Sequence, residues 1–257
     1  MKAAWLLVLW LMAGAAHAQA RALPAPPQTE FLQQLDAALP LQSRFVDDDG
    51  RPVLLGDLFG ARPVVLVLGY YHCPNLCSTV FEGVLQSLAL AGLPPQAYRL
   101  VGVSIDPHET AEVAARKKAA YASLFGSQIA DTHLLTGSAQ EVARLTAAVG
   151  FRHAYDAGQQ QYAHPAGFVI VTPQGRVARY FLGVRFDPGE VRRALDQASS
   201  GRIGSPVQRL LLLCAHYDPA TGRYSFAAMT AVRIVCIAVL LLMAGWVWRQ
   251  RVWRGRR

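Results

Sequence analysis

The sequence predicts an α/β sandwich around a central mixed sheet, exported and tethered by one C-terminal transmembrane helix. Three observations carry this. Apolar runs of strand length alternate with segments of helical period between residues 63 and 198. The last two strands are joined at Pro173-Gln174-Gly175, a tight-turn sequence, so part of the sheet is antiparallel. Both chain ends are apolar and basic, whereas the middle is neither.

The ends come first because they set the compartment. Lys2, an apolar stretch over 3–14 and then Ala16-His17-Ala18 make a secretory signal peptide, 1–18, cleaved after Ala18. Residues 226–248 are apolar except for Thr230 and Arg233. At about 1.5 Å rise they span about 34 Å, enough for a hydrocarbon core of roughly 30 Å. Arg233 then sits in the outer part and snorkels. Trp246 and Trp248 fall near the inner interface, and Tyr217 and Tyr224 near the outer one. Residues 249–257 hold five arginines and read as a cytoplasmic basic tail. In a bacterium the protein is thus expected in the inner membrane, single-pass, with its soluble domain in the periplasm, where disulfides form.

The charge agrees. The formal net charge is +8, yet residues 19–225 hold 18 bases and all 17 acids, a balance of +1. Basicity therefore reports topology, and a nucleic-acid partner is not expected. The chain is too apolar, at 53% hydrophobic, to be disordered, and four cysteines are too few for a disulfide scaffold.

Between the ends, 19–42 is a linker and N-terminal extension, with Pro and Ala over 21–27. Residues 43–55 read as a hairpin, Asp49-Gly50 turning between Phe45-Val46 and 53–55. The unbroken apolar run 63–70 is a buried strand. Leu76, Val80, Val84, Leu85 and Leu88 give 74–90 a helical period, with Pro74 in the first turn. A second buried strand, 98–105, leads to a helix over 110–124, whose Arg116, Lys117 and Lys118 read as a solvated face. A short strand at 133–135 and a helix at 138–149 follow. Strands 167–171 and 177–181 form the closing hairpin, and a helix over 188–198 takes Asp187 as its N-cap. One domain, 43–199, is expected. A juxtamembrane segment, 200–225, connects it to the span.

The chemistry-bearing residues are Cys73 and Cys77, in Tyr71-His72-Cys73-Pro74-Asn75-Leu76-Cys77. They stand where a buried strand opens into a helix. Four residues apart on a helix, they lie about 40° apart around its axis, on one face. A helix N-terminus favours thiolate. Two close thiolates either close a disulfide or hold a soft metal; two buried apolar cysteines are the plainer reading. Two sulfurs leave most metals under-coordinated, so a third donor is expected from another loop.

Among seven histidines, His17 leaves with the signal peptide, His133 is a strand residue, His153 a surface one, and His216 lies near the membrane. His72 is expected beside the site or as a ligand, and His108 ends a strand near it. His164 lies in Tyr162-Ala163-His164-Pro165, just before the strand 167–171. In a thioredoxin-like sheet that loop passes over the dithiol. Cys236 reads as a small filler within the span, while Cys214 is structural, a second soft-metal site or an intermolecular disulfide.

These residues resemble the Sco/SenC family: thioredoxin-like, membrane-anchored copper proteins that help build the binuclear copper centre of cytochrome c oxidase. The resemblance covers roughly residues 43–198. It rests on Cys73-Pro-x-x-Cys77, on Val103-Ser104-Ile105-Asp106-Pro107 followed by Glu109-Thr110, on Leu135-Thr136-Gly137, and on a histidine before a strand that turns at Pro173-Gln174-Gly175. It implies a thioredoxin-like fold with an N-terminal β-hairpin and copper held by Cys73, Cys77 and His164. It also implies a copper donor protein, and a cytochrome c oxidase subunit or another cuproprotein client. Two thiolates and one imidazole suit Cu(I), whereas structural Zn(II) would want a fourth protein ligand.

The sequence departs from the family in three places. Asn75 stands where members often carry Asp, which removes a charge near the metal. Pro165 follows His164, where thioredoxin-like reductases often have a cis-proline. The anchor is C-terminal, whereas the best-known relatives are anchored at the N-terminus. The alternative function is a thiol-disulfide reductase that keeps client copper-ligand cysteines reduced, Cys73 attacking and Cys77 resolving. A peroxidase reading lacks an activating Arg.

Overall fold

The computed structural model describes residues 29–72 and 76–204, together with Tyr217–Asp218 and Arg223–Tyr224. The signal peptide, the 21–27 linker, Cys73, Cys214, the 226–248 span and its basic tail lie outside the described residues. Among those described, no helix is long and apolar enough to cross a membrane.

The chain first makes a hairpin of β1 (Arg44–Val46) and β2 (Pro52–Leu54), paired Arg44 to Leu54 and Val46 to Pro52. Asp47 builds its turn, its Oδ1 accepting the Asp49 N–H at 3.0 Å and the Arg51 N–H at 2.8 Å. This is the hairpin expected from Asp49-Gly50, and Gly50 takes the positive φ of 78°.

β3 (Val64–Gly69), β4 (Arg99–Ser104) and β5 (Thr132–Leu135) run parallel, while β8 (Gly167–Val171) and β9 (Val177–Leu182) complete the sheet antiparallel. The order is β5-β4-β3-β8-β9, the expected mixed sheet. The crossover helices are α1 (Leu76–Leu90) and α2 (Ala111–Phe125); α3 (Ala139–Ala148) and α4 (Pro188–Ser199) follow β5 and β9. Ser138 caps α3 by accepting the Glu141 N–H at 3.4 Å, and Asp187 caps α4 by accepting that of Glu190 at 2.7 Å.

The central strands are apolar without alternation because both sheet faces are covered. Val65, Val67, Leu100 and Ile170 pack against α1, α2 and α4 through Val84, Leu88, Tyr121 and Leu195. Leu66, Leu68, Val101 and Val169 face the other way, onto Leu145 of α3 and Phe45 of β1.

Three features depart from the sequence reading. Residues 30–41 form a strap along the second layer. Leu32 donates its N–H to the Gly150 carbonyl at 2.8 Å, and Leu39 donates to that of Gly175 at 2.9 Å. Gly150 is required there: its φ is +63°, and a Cβ would stand 1.9 Å from the Leu32 carbonyl oxygen. Second, β6 (Ala154–Asp156) and β7 (Gln161–Ala163) pair as a hairpin, Tyr155 opposite Tyr162. Third, the basic face of α2 is not simply solvated. Lys118 pairs with Asp48, whose side chain is 4% exposed, and Lys117 lies 5.3 Å over the Tyr121 ring; Arg116 alone is exposed. No local pattern signals that the hairpin loop reaches α2, because the Lys118–Asp48 contact joins residues far apart in the chain.

Beyond the domain, β10 (Tyr217–Asp218) pairs with β11 (Arg223–Tyr224), bringing Tyr217 opposite Tyr224.

Candidate metal centre

The site lies at the carboxyl ends of β3 and β4, where two parallel strands diverge into their helices. This is the edge at which open α/β sheets present loops to ligands. β3 ends at Gly69, and buried Tyr70, half-buried Tyr71 and exposed His72 follow. Cys73 and Asn75 lie outside the described residues. Cys77 is the second residue of α1, at the helix N-terminus that the sequence predicted for it.

A buried carboxylate holds the approach to Cys73. The Glu109 side chain is 2% exposed. Its Oε2 accepts the Tyr71 N–H at 2.8 Å and the Ser104 hydroxyl at 2.6 Å. Its Oε1 accepts the His72 N–H at 2.7 Å and faces His72 Nδ1 at 3.1 Å. A buried carboxylate is costly unless its lone pairs are met, and here four donors meet them. The phenol of Tyr71 turns inward and donates to the Leu135 carbonyl at 2.8 Å, with that of Gly102 at 3.1 Å. Burial raises its pKa well above the usual value, and the nearby Glu109 and Asp48 carboxylates add to the rise, so it stays a neutral donor.

His164 sits between β7 and β8, on the loop the sequence placed over the dithiol. Its ring meets Tyr70 edge-on at 5.9 Å between centroids and lies 5.8 Å from Phe151. It lines a small cavity of about 20 Å³ with Tyr70, Tyr71 and Lys117, and with Val80 and Phe81 of α1. Its Nδ1 is 3.0 Å from the Pro165 carbonyl, an acceptor only, so Nδ1 carries the proton and Nε2 the lone pair. Burial lowers its pKa below the ordinary 6.5, opposed by that hydrogen bond. The side chain is therefore a neutral imidazole at pH 7, the form that ligates metals. Gly167, three residues on, has φ +147°, and a Cβ there would stand 2.3 Å from the Phe181 carbonyl oxygen. The His164–Pro165 bond is trans.

The other histidines divide. His153 is half-buried, not on the surface as its sequence context suggested. Its ring lies 5.8 Å from Phe151 and 6.0 Å from Tyr162, and burial lowers its pKa. The unforeseen β6–β7 hairpin encloses it. His133 is held by Asp131 at 3.2 Å, away from these loops. His108 is exposed, with Nδ1 2.9 Å from Asp106 Oδ1. Glu109 was legible only as a piece of the strand-end motif, because its sequence neighbours do not reveal what it holds. Among the described residues no three His, Cys, Asp or Glu side chains gather to hold an ion by themselves.

The SCO1/SenC profile matches residues 34–199, well over half of the chain. The chain belongs to the SCO1/SenC family. The bovine mitochondrial protein SCO2 homolog is 30% identical over 150 residues, 54% of this chain. The chain spans only about half, 52%, of that relative's length. Among solved structures, an Aquifex aeolicus VF5 protein superposes with a TM-score of 0.57 at 23% identity, covering 65% of this chain and 95% of its own. Copper-bound ScoI of Arabidopsis thaliana superposes with a TM-score of 0.51 at 16% identity, covering 65% of this chain and 99% of its own. These likenesses establish the thioredoxin-like SCO1/SenC fold. Residues 34–41 of the strap fall inside the family match, whereas its first anchor, Leu32, lies just before it.

Proposed function

We propose that this SCO1/SenC protein is a copper-binding assembly factor in which Cys73, Cys77 and His164 hold the metal. The observation that carries the reading is the placement of His164. Its ring packs on Tyr70, three residues before Cys73, and its Nδ1 is pinned to the Pro165 carbonyl so that Nε2 is the basic nitrogen. That is the tautomer a copper ligand needs. Cys77 in the first turn of α1 supplies a thiol where the helix dipole favours thiolate. The copper-bound fold relative supports the metal's identity, and two thiolates with one imidazole suit Cu(I). Three ligands leave a position open, so copper can leave by exchange with a client's ligands. The family resemblance points to a cytochrome c oxidase subunit, or another cuproprotein, as client. We place the domain in the periplasm, held to the inner membrane by residues 226–248.

The same thiols could instead reduce a client's copper-ligand disulfide. Thiolate attack would form a mixed disulfide, and the second cysteine would release the reduced client. Cu(I) titration of the reduced full chain separates the two. Tight binding in the wild type that falls in Cys73→Ala, Cys77→Ala and His164→Ala supports the copper reading. Copper binding absent from every variant and from the wild type, with disulfide reduction present, supports the reductase.

A further inference from the structure

The strap reaches the metal centre through one aromatic side chain. Phe31 stands opposite Phe151 in an isolated antiparallel bridge. Hydrogen bonds close the bridge on both sides. Arg152 donates its N–H to the Glu30 carbonyl at 2.9 Å, and Leu32 donates to that of Gly150 at 2.8 Å. The Arg152 guanidinium also pairs with the Glu30 carboxylate at 2.9 Å. Two backbone hydrogen bonds and an ion pair thus fix the register at Phe31.

From there the rings form a chain to His164. Phe31 meets Phe151 edge-on at 5.0 Å between centroids, and Phe151 lies 5.8 Å from the His164 ring. Phe31 is itself met edge-on by Tyr180 at 5.6 Å. The Tyr180 hydroxyl accepts the Gln34 N–H at 2.9 Å and donates to the Val149 carbonyl at 3.0 Å, so that ring is anchored at its tip. His164 also meets Tyr70 edge-on at 5.9 Å, and Tyr70 is held in turn by Tyr162 at 5.7 Å. Phe151 is 3% exposed and Tyr70 7%, so both rings that meet His164 lie in the close-packed interior. Such packing passes a displacement on to its neighbours.

We infer that Phe31 is a positioning residue for copper's nitrogen ligand: acting through Phe151, it holds the His164 ring in place and slows the exchange of copper from the centre. The inference rests on the copper reading, in which His164 is a ligand. When the copper–nitrogen bond opens, a ring held in place closes it again before a client's ligand replaces it. A ring free to turn away does not. Removing the Phe31 ring opens space beside Phe151, and His164 loses the support behind one of its two aromatic neighbours. Losing a group that orients a metal ligand typically costs about 10- to 100-fold in affinity. The family model does not supply this role, because the SCO1/SenC match begins at residue 34.

The test loads the reduced full chain with Cu(I) and follows copper release to a Cu(I) chelator, bathocuproine disulfonate. Phe31→Ala should release copper about tenfold faster than the wild type. Phe31→Tyr, which keeps the ring, should stay close to the wild-type rate. Leu39→Ala is the control: Leu39 is buried on the same strap but anchored at Gly175, so its loss should lower stability without changing release. A second readout needs no copper. The ring-proton NMR signals of His164, assigned by their loss in His164→Ala, should move in metal-free Phe31→Ala and stay in Leu39→Ala. An unchanged release rate in Phe31→Ala, unmoved His164 signals, or an equal effect of Leu39→Ala overturns the inference. If His164→Ala releases copper at the wild-type rate, the three-ligand reading fails instead, and the metal-free spectra still decide whether Phe31 holds the ring.

Discussion

Glu109 accepts the backbone N–H of His72 at 2.7 Å, and so ties the residue next to Cys73 to the loop that follows β4. The cysteine loop is thus braced from outside its own helix. Four donors converge on this carboxylate, from Tyr71, His72 and Ser104. Glu109→Gln keeps the volume but turns an N–H₂ toward donors. We expect a loss of about 1–3 kcal/mol, as for a buried donor left unsatisfied. Urea denaturation of the metal-free protein measures it, and copper affinity should fall in parallel.

The Lys118–Asp48 pair fastens the first hairpin to α2. Asp48 also accepts the Leu134 N–H at 3.0 Å, so it joins three elements. Lys118→Met should cost about 1–3 kcal/mol, less than for a fully buried pair because Lys118 keeps 30% exposure. Thermal unfolding compared with Arg116→Met, at an exposed position, checks it: only the Lys118 variant should shift.

Gly167→Ala tests the bend after His164. Added Cβ volume collides with the Phe181 carbonyl, and the φ of +147° strains any L-residue. A loss of about 2 kcal/mol or more is expected. If His164 holds copper as proposed, copper binding should weaken beyond what a comparable loss of stability elsewhere produces, since the backbone displaced is that of the loop carrying His164.

His164 and His153 give a pH dependence with a definite sign. Burial lowers both folded-state pKa values below 6.5, so the unfolded chain takes up protons first as pH falls. Their contribution is fully present above the unfolded value near 6.5. It is lost as pH drops from there through the lowered folded values. Stability of the metal-free protein should therefore fall on acidification below pH 6.5. His153→Phe should flatten part of that slope, and NMR titration of the His164 ring should give a midpoint under 6.5.

What the sequence revealed and what it hid follow from range of interaction. The strand at Val64–Gly69, the helix ending at Leu90 and the Asp187 cap were legible because period, continuity and capping are local signals. The antiparallel closing hairpin was legible from its turn residues. The strap was not, because Leu32 and Leu39 are fixed by carbonyls of Gly150 and Gly175, more than a hundred residues away. The β6–β7 hairpin was hidden because three-residue strands with a polar turn carry no usable period. At the site, the position of His164 in the loop before a strand was legible, whereas the role of Glu109 was not. The role of a buried carboxylate depends on the backbone groups that fold around it. His153 was misread for a similar reason: the elements that bury it were themselves unseen.

The proposed copper site has two sulfur ligands and one nitrogen ligand. X-ray absorption of the reduced full chain loaded with one equivalent of Cu(I) tests it most directly. Two sulfur neighbours and one imidazole nitrogen are expected, with the nitrogen lost in His164→Ala and one sulfur lost in Cys77→Ala. A copper shell that keeps its imidazole nitrogen in His164→Ala, or that contains no sulfur, would contradict it.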